Sequence, residues 1–295
     1  IISVGGGSVI DISKLIKAFY CHKGQEIELL KQRKEVEDPK IPIIAIPTTA
    51  GSGSEATHFA VVYIDTEKFS LASECLLPSA VILDGSLTIS GSKYQKTCNA
   101  LDAMAQAIES AWATQSTNQS LKYSLESIEL GWGTLKEFIS PSCKPVVAQT
   151  MIEASNLAGK AINISKTTSS HAWSYAFTSF FDVPHGHAVW LTLPAVFEIH
   201  FRANSSDLTD PRGKKHLSSI MNELIKKLNL QNDLGKDAQL NEFLNEVGVE
   251  SKMENLGIDN IKKRENISNQ INIERMENNP VDLDSYKSKI FRLEQ

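Results

Sequence analysis

The sequence predicts an α/β segment over residues 1–90 followed by an all-helical region over residues 91–295. Three observations carry this. Short β-branched runs bounded by turn residues crowd the first 90 positions. From residue 91 the strand signal fades and apolar residues recur at helical spacing. Two loops rich in glycine and hydroxyls each follow a strand-like run, the strand–turn–helix grammar of α/β folds.

Ile1 to Val4 reads as a strand running directly into Gly5-Gly6-Gly7. The chain opens inside this element without a Met, so an N-terminal portion is expected to precede it. Residues 8–20 place Ile12, Leu15, Ile16 and Phe19 at helical spacing. Residues 41–46, 59–64 and 80–83 are short and β-branched and predict strands. Helices are expected over 98–112, 118–138, 146–162, 170–180 and 188–201, then 218–229, 238–247, 258–271 and 283–291. Pro194 interrupts the most apolar run, 188–197, and the polar stretch 203–215 reads as a surface loop.

Composition narrows the class. A chain of 295 residues with 41% hydrophobic content has enough apolar side chain for one large or two typical domains, which excludes disorder as the main state. A net charge of -5 argues against a general nucleic-acid binder. Cys21, Cys75, Cys98 and Cys143 form no C-x-x-C pair and are too sparse for a disulfide scaffold, so a reducing, cytoplasmic setting is expected. No apolar run approaches the roughly 20 residues that span a bilayer, so no membrane partner is expected.

The turn Val4-Gly5-Gly6-Gly7-Ser8 stands between a strand and a helix. Glycines let a phosphate approach the backbone, and a helix N-terminus offers N–H groups and a positive dipole end. A tight turn without a ligand is the alternative. The pattern is neither G-x-G-x-x-G nor a Walker A loop, so standard Rossmann and P-loop readings lose ground. The second loop, Ile46-Pro47-Thr48-Thr49-Ala50-Gly51-Ser52-Gly53-Ser54-Glu55, packs hydroxyls among glycines. A purely structural loop needs fewer donors, so contact with phosphate, ribose or amide oxygens is the stronger reading.

Gly5 to Asp11 together with Ile46 to Glu55 resembles the iron-containing (group III) alcohol dehydrogenase family. The similarity continues in Lys68-Phe69-Ser70, in Leu77 to Asp84 and in Arg275-Met276-Glu277-Asn278-Asn279-Pro280. It covers nearly the whole chain. The resemblance implies a dehydroquinate synthase-like architecture: a dinucleotide-binding α/β domain over 1–90, lacking its first strands here, and a helical metal- and substrate-binding domain over 91–295. NAD or NADP and a divalent metal, Fe(II) or Zn(II), would meet between them. Gly5, Gly6, Gly7 and Ser8 would hold the pyrophosphate, and Thr48, Thr49, Ser52 and Lys68 would line the nicotinamide side.

The family's metal site uses one Asp and three His. Asp102 matches the first ligand, and Gln106 stands one helical turn on, where the family usually has His. His171 and His185 match the remaining two, whereas His187 is an extra histidine expected not to coordinate. Gln106 is a neutral oxygen donor and a weaker ligand, so metal affinity should fall. Tyr175 stands where many members carry a further His near the nicotinamide, and with His185 it is the candidate for the catalytic work, donating a proton or contacting substrate.

The implied activity is NAD(P)-linked, metal-dependent reduction of a small aldehyde or oxidation of the matching primary alcohol, in a homo-oligomer, dimer or larger. Ala105-Gln106-Ala107-Ile108-Glu109-Ser110 with His171-Ala172-Trp173-Ser174-Tyr175 resembles a subgroup that includes phosphonoacetaldehyde reductases. An aldehyde bearing an anion wants cationic partners. Lys166, His187 and Arg202 are candidates by nearness in sequence. Two alternatives stand beside this: a glycerol dehydrogenase or maleylacetate reductase-like enzyme, and a non-catalytic dinucleotide-binding protein with a degraded metal site.

Overall fold

The computed structural model describes residues 1–31, 33–64 and 67–293, except for the side chains of residues 67 and 68. The N-terminal elements are β1 (Ile2–Gly5), α1 (Gly7–Phe19), α2 (Glu26–Leu30), β2 (Ile44–Pro47), β3 (Phe59–Ile64), β4 (Glu67–Ala72) and β5 (Ala80–Val81). β1, β2 and β5 form a parallel sheet in the order β1–β2–β5. Gly5 pairs with Pro47, so both strands end side by side. The glycine turn and the hydroxyl-rich loop therefore leave the same edge of the sheet, and the Thr48 N–H donates to the Gly5 carbonyl at 3.0 Å. The carboxyl ends of parallel strands are where open α/β sheets bind ligands.

β3 and β4 pair antiparallel. Ala60, Phe69 and Leu71 pack with Leu15 and Ala18 of α1 and with Leu29, Leu30 and Leu76 in a small separate core. The expected strand 41–46 is shifted to 44–47, and 80–83 shortens to two residues. β4 was not expected, because Glu67-Lys68-Phe69-Ser70-Leu71-Ala72 holds none of the β-branched residues that mark the other strands. The face that α1 buries also differs from the expected stripe. Ile12 and Ile16 are exposed, while Ile10, Ser13, Lys14, Leu15, Lys17 and Ala18 are buried. Lys14 explains this. Its ammonium donates to the Ser54 carbonyl at 2.6 Å, the Phe59 carbonyl at 2.8 Å and the Thr57 hydroxyl at 3.1 Å, tying the second loop to the helix.

The rest of the chain is helical: α3 (Lys93–Trp112), α4 (Asn118–Phe138), α5 (Pro145–Ser165), α6 (Ser169–Phe181), α7 (His185–Trp190), α8 (Leu193–Arg202), α9 (Gly213–Lys227), α10 (Lys236–Val247), α11 (Ile261–Asn269), α12 (Ile273–Glu277) and α13 (Lys287–Phe291). α3 is the axis of this part and is buried almost all round from Lys96 to Trp112. The single helix expected over 188–201 is two. Pro194 lies in the first turn of α8, where its missing N–H costs nothing but where it cannot continue α7. The helix expected over 258–271 begins at Ile261, capped by the Asn260 side chain, which accepts from the Lys263 N–H at 3.0 Å. The one expected over 283–291 opens as a 3₁₀ turn. α9 starts at Gly213, inside the expected loop 203–215. Among the described residues no helix is long and apolar enough to cross a membrane.

Candidate active site

α1 begins at Gly7 with Gly6 as its N-cap, and its first helical bonds run from Val9 and Ile10 to the Gly6 carbonyl. The N–H groups before those bonds have no intrahelical acceptor. The second loop lies against this turn. A Cβ on Gly7 would come within 2.8 Å of Ser52 Cβ, and one on Gly6 within 3.3 Å of the Thr49 side chain. Asp11 fastens the same loop, accepting from the Ser54 hydroxyl and, at 3.1 Å, from the Val61 N–H. Gly53 adopts φ +63°, and a Cβ there would lie 2.5 Å from Gly159 Cα, so only glycine lets the loop seat on α5.

Opposite the loop stand α3, α6 and α7. Asp102, His171 and His185 bring one ligand atom each within 4.8 Å of one another. His171 Nε2 is 3.5 Å, and His185 Nε2 3.9 Å, from Asp102 Oδ1. α7 reaches α3 this closely because residue 186 is glycine; a Cβ there would overlap the Cys98 carbonyl oxygen. Gln106 Nε2 donates to the Ser52 carbonyl at 3.2 Å and so joins the cluster to the loop.

Sequence reasoning did not single out Glu109. About two turns beyond Asp102 on α3, it is fully buried. Its carboxylate accepts from the Thr168 and Ser170 N–H groups, each at 2.7 Å, capping α6 from a neighbouring helix. Its Oε2 lies 2.6 Å from His171 Nδ1, which fixes the ring so that Nε2 faces Asp102. Burial opposes the charges of Asp102 and Glu109, but the His171 ring between them holds both carboxyls below their ordinary range. Burial likewise opposes charge on His171, yet Glu109, with Asp102 adding, pushes its pKa up to about 9.

This donor set suits a divalent cation. Asp102 Oδ1, Gln106 Oε1 and His171 Nε2 are buried and make no hydrogen bond among the described residues. Such atoms are costly unless a partner satisfies them. Imidazole and carboxylate donors fit Fe(II) or Zn(II).

One cavity of about 470 Å³ is lined by Gly6, Gly7, Ser8, Thr49 and Ser52 on one side and Asp102, Gln106, His171, Tyr175 and His185 on the other. Gly5 and Thr48, joined by their backbone bond, do not line it. Lys68 stands in β4 opposite Tyr63, with its side chain outside the described residues. Tyr175 stacks on the His185 ring, centroids 5.8 Å apart. His187 faces away, with Nδ1 2.9 Å from the Tyr94 hydroxyl and Nε2 2.7 Å from the Glu250 carbonyl. None of Lys166, His187 and Arg202 lines the cavity; Lys166 pairs with Glu274, and Arg202 with Glu198.

A phosphate-type turn and an Asp–His–His cluster on facing walls of one cleft define a class of protein that brings a dinucleotide to a metal. The comparisons with known proteins agree. Residues 1–85 match the model of the iron-containing alcohol dehydrogenases, and residues 97–286 match that of the C-terminal part of the same family. The chain belongs to the iron-containing alcohol dehydrogenase family, whose cofactors are NAD(P) and a divalent metal. It is 28% identical over 231 residues to the phosphonoacetaldehyde reductase of Streptomyces viridochromogenes, covering 76% of this chain and 58% of that one. It is 28% identical over 264 residues to the 1,3-propanediol dehydrogenase of Klebsiella pneumoniae, covering 88% of this chain and 66% of that one. The crystal structure of the sulfoacetaldehyde reductase of Bifidobacterium kashiwanohense in complex with NAD+ superimposes with a TM-score of 0.83 at 25% identity, covering 99% of this chain and 74% of that one.

Proposed function

We propose that the protein is an NAD(P)-linked, metal-dependent enzyme interconverting a small primary alcohol and its aldehyde, with phosphonoacetaldehyde as the finer reading of its substrate. The observation that carries this is the 470 Å³ cavity with the glycine turn on one wall and the Asp102–His171–His185 cluster on the other. The finer reading rests on the similarity to phosphonoacetaldehyde reductase. The domain division at 90/91, a cytoplasmic setting and a homo-oligomeric state belong to the same proposal.

Asp102, His171 and His185 would hold the metal, with Gln106 Oε1 as the fourth donor. A bound metal supplies Lewis acidity at the substrate oxygen, and the nicotinamide supplies or accepts the hydride. The protein's own part is positioning and exclusion. Gly6, Gly7 and Ser8 present backbone N–H groups to the pyrophosphate. Thr49 and Ser52 set the nicotinamide between loop and cluster. Tyr175, stacked on His185, closes the cavity beside the cluster and contacts the substrate.

The test is an aldehyde panel, with polyol and keto-acid substrates of neighbouring enzyme types beside it, assayed with the NAD and NADP cofactors before and after chelation. Turnover is expected to vanish on chelation and return with Fe(II) or Zn(II). Turnover that persists in stripped protein overturns the metal reading, and dinucleotide binding without turnover under any divalent metal favours the non-catalytic alternative.

Gln106 offers a sharper check. Gln106→His restores an imidazole on the helical face that carries Asp102. Metal affinity is expected to rise by about 10-fold, the equivalent of one bond worth about 1.4 kcal/mol. A competitive chelator titration of both proteins reads this directly. Equal or weaker retention in the variant means that residue 106 does not reach the metal.

A further inference from the structure

Resting on that reading, we propose that Arg275 is the residue that recognises the substrate's far end, and that it selects short aldehydes terminated by an oxyanion. A second cavity, of about 740 Å³, adjoins the one holding the metal cluster. The two share Tyr63, Tyr175 and Arg275 as common wall. Among the described residues Arg275 is the one Lys or Arg lining either cavity. It thus stands where a small molecule with its carbonyl at the cluster would place its other end.

The guanidinium is available there. Among the described residues one of its five N–H donors is used, by Nη1 to the Thr167 hydroxyl. Among the described residues no carboxylate forms an ion pair with it; the acid beside it, Glu274, is taken by Lys166. A half-buried cation without a counter-charge is costly, and a planar fork of donors matches a phosphonate, sulfonate or carboxylate. A second group points the same way. The Thr178 hydroxyl lines the cluster's cavity one turn beyond Tyr175, is buried, and has no hydrogen-bond partner among the described residues.

The segment is also anchored. Asn272 caps α12 by accepting from the Arg275 N–H at 3.0 Å. Asn278 donates to the Ser165 carbonyl at 2.7 Å and the Thr167 carbonyl at 3.0 Å, and Asn279 bonds the Ser169 hydroxyl at 3.0 Å. These bonds fasten α12 to the start of α6, the helix that carries His171 and Tyr175. Arg275 is therefore held at a set distance from the cluster, as length selection requires.

The experiment compares the wild-type protein, loaded with metal, with Arg275→Gln and Arg275→Lys. Phosphonoacetaldehyde and sulfoacetaldehyde are assayed beside propanal. Ethylphosphonate, which has no alcohol to oxidise, and NADH are titrated calorimetrically. In Arg275→Gln the kcat/KM ratio of anionic over neutral aldehyde is expected to fall by at least about 10-fold, through KM. Ethylphosphonate affinity should fall in parallel, and Arg275→Lys should recover part of both. An unchanged ratio overturns the proposal. So does a fall in NADH affinity with the ratio kept, which would make Arg275 a cofactor contact. If the wild-type protein turns over no aldehyde, the proposed function fails, and the ethylphosphonate titration still decides Arg275 on its own.

Discussion

Replacing His185 by alanine is expected to strip the bound metal and lower kcat/KM by about 10³-fold or more. Lewis-acid stabilisation of a developing alkoxide is worth several kcal/mol, and each 1.36 kcal/mol is a factor of ten. The fold should survive. His185 opens α7, and its side chain is 37% exposed, so its removal leaves no closed cavity in the core. Gly186 keeps the helix seated against Cys98 whatever residue precedes it. Metal content and kcat/KM, read beside the thermal midpoint, check this. Wild-type turnover in His185→Ala would remove the cluster from the chemistry.

Much of this site was legible because its chemistry sits in short local patterns. Gly5 to Asp11 and Ile46 to Glu55 show a strand, a turn and their donors within a few residues, and parallel pairing of β1 with β2 then sets the two loops side by side. Asp102, His171 and His185 were visible as a pattern of residue types, and the structure brings them together from α3, α6 and α7. The residues that were missed act across long separations with no local signature. Glu109 is one acid in a helix until α6 lays its N-terminus on it 59 positions later. Arg275 is an ordinary basic residue until the two cavities meet at its guanidinium. The three basic residues nearest the metal motifs in sequence were misleading because nearness along the chain does not set where a side chain points, and each is engaged elsewhere.

The same long-range logic misplaced elements of the fold. In α1 the apolar stripe Ile12 and Ile16 faces outward, because the inward face must carry Lys14 to the carbonyls of Ser54 and Phe59. Burial holds the Lys14 pKa down to about 8, and four acceptors compensate the ammonium. A hydrophobicity pattern reads such a face as solvent-exposed.

Glu109→Gln should damage the site almost as much as loss of a ligand, although Glu109 has no access to a metal. The carboxylate accepts at both oxygens: from Thr168 N–H and His171 Nδ1 at one, from Ser170 N–H at the other. An amide keeps a single accepting oxygen. If that oxygen stays with the Ser170 N–H, the amide N–H₂ faces His171 Nδ1, which must then accept and carry no proton, and the Thr168 N–H loses its acceptor. The ring proton moves to Nε2, the atom that faces Asp102 and would bind the metal. If the oxygen instead stays with Thr168 N–H and His171, the tautomer is kept but the Ser170 N–H loses its buried acceptor, which costs about 1–3 kcal/mol. Either arrangement weakens the metal site, and metal affinity is expected to fall by about 10–100-fold. The two arrangements separate experimentally. Imidazole nitrogen shifts in the ¹⁵N-labelled, metal-free variant report the tautomer and so tell them apart, while a denaturant melt reports the cap bond lost in both. Wild-type metal affinity in folded Glu109→Gln protein would show that the His171 tautomer does not depend on this carboxylate.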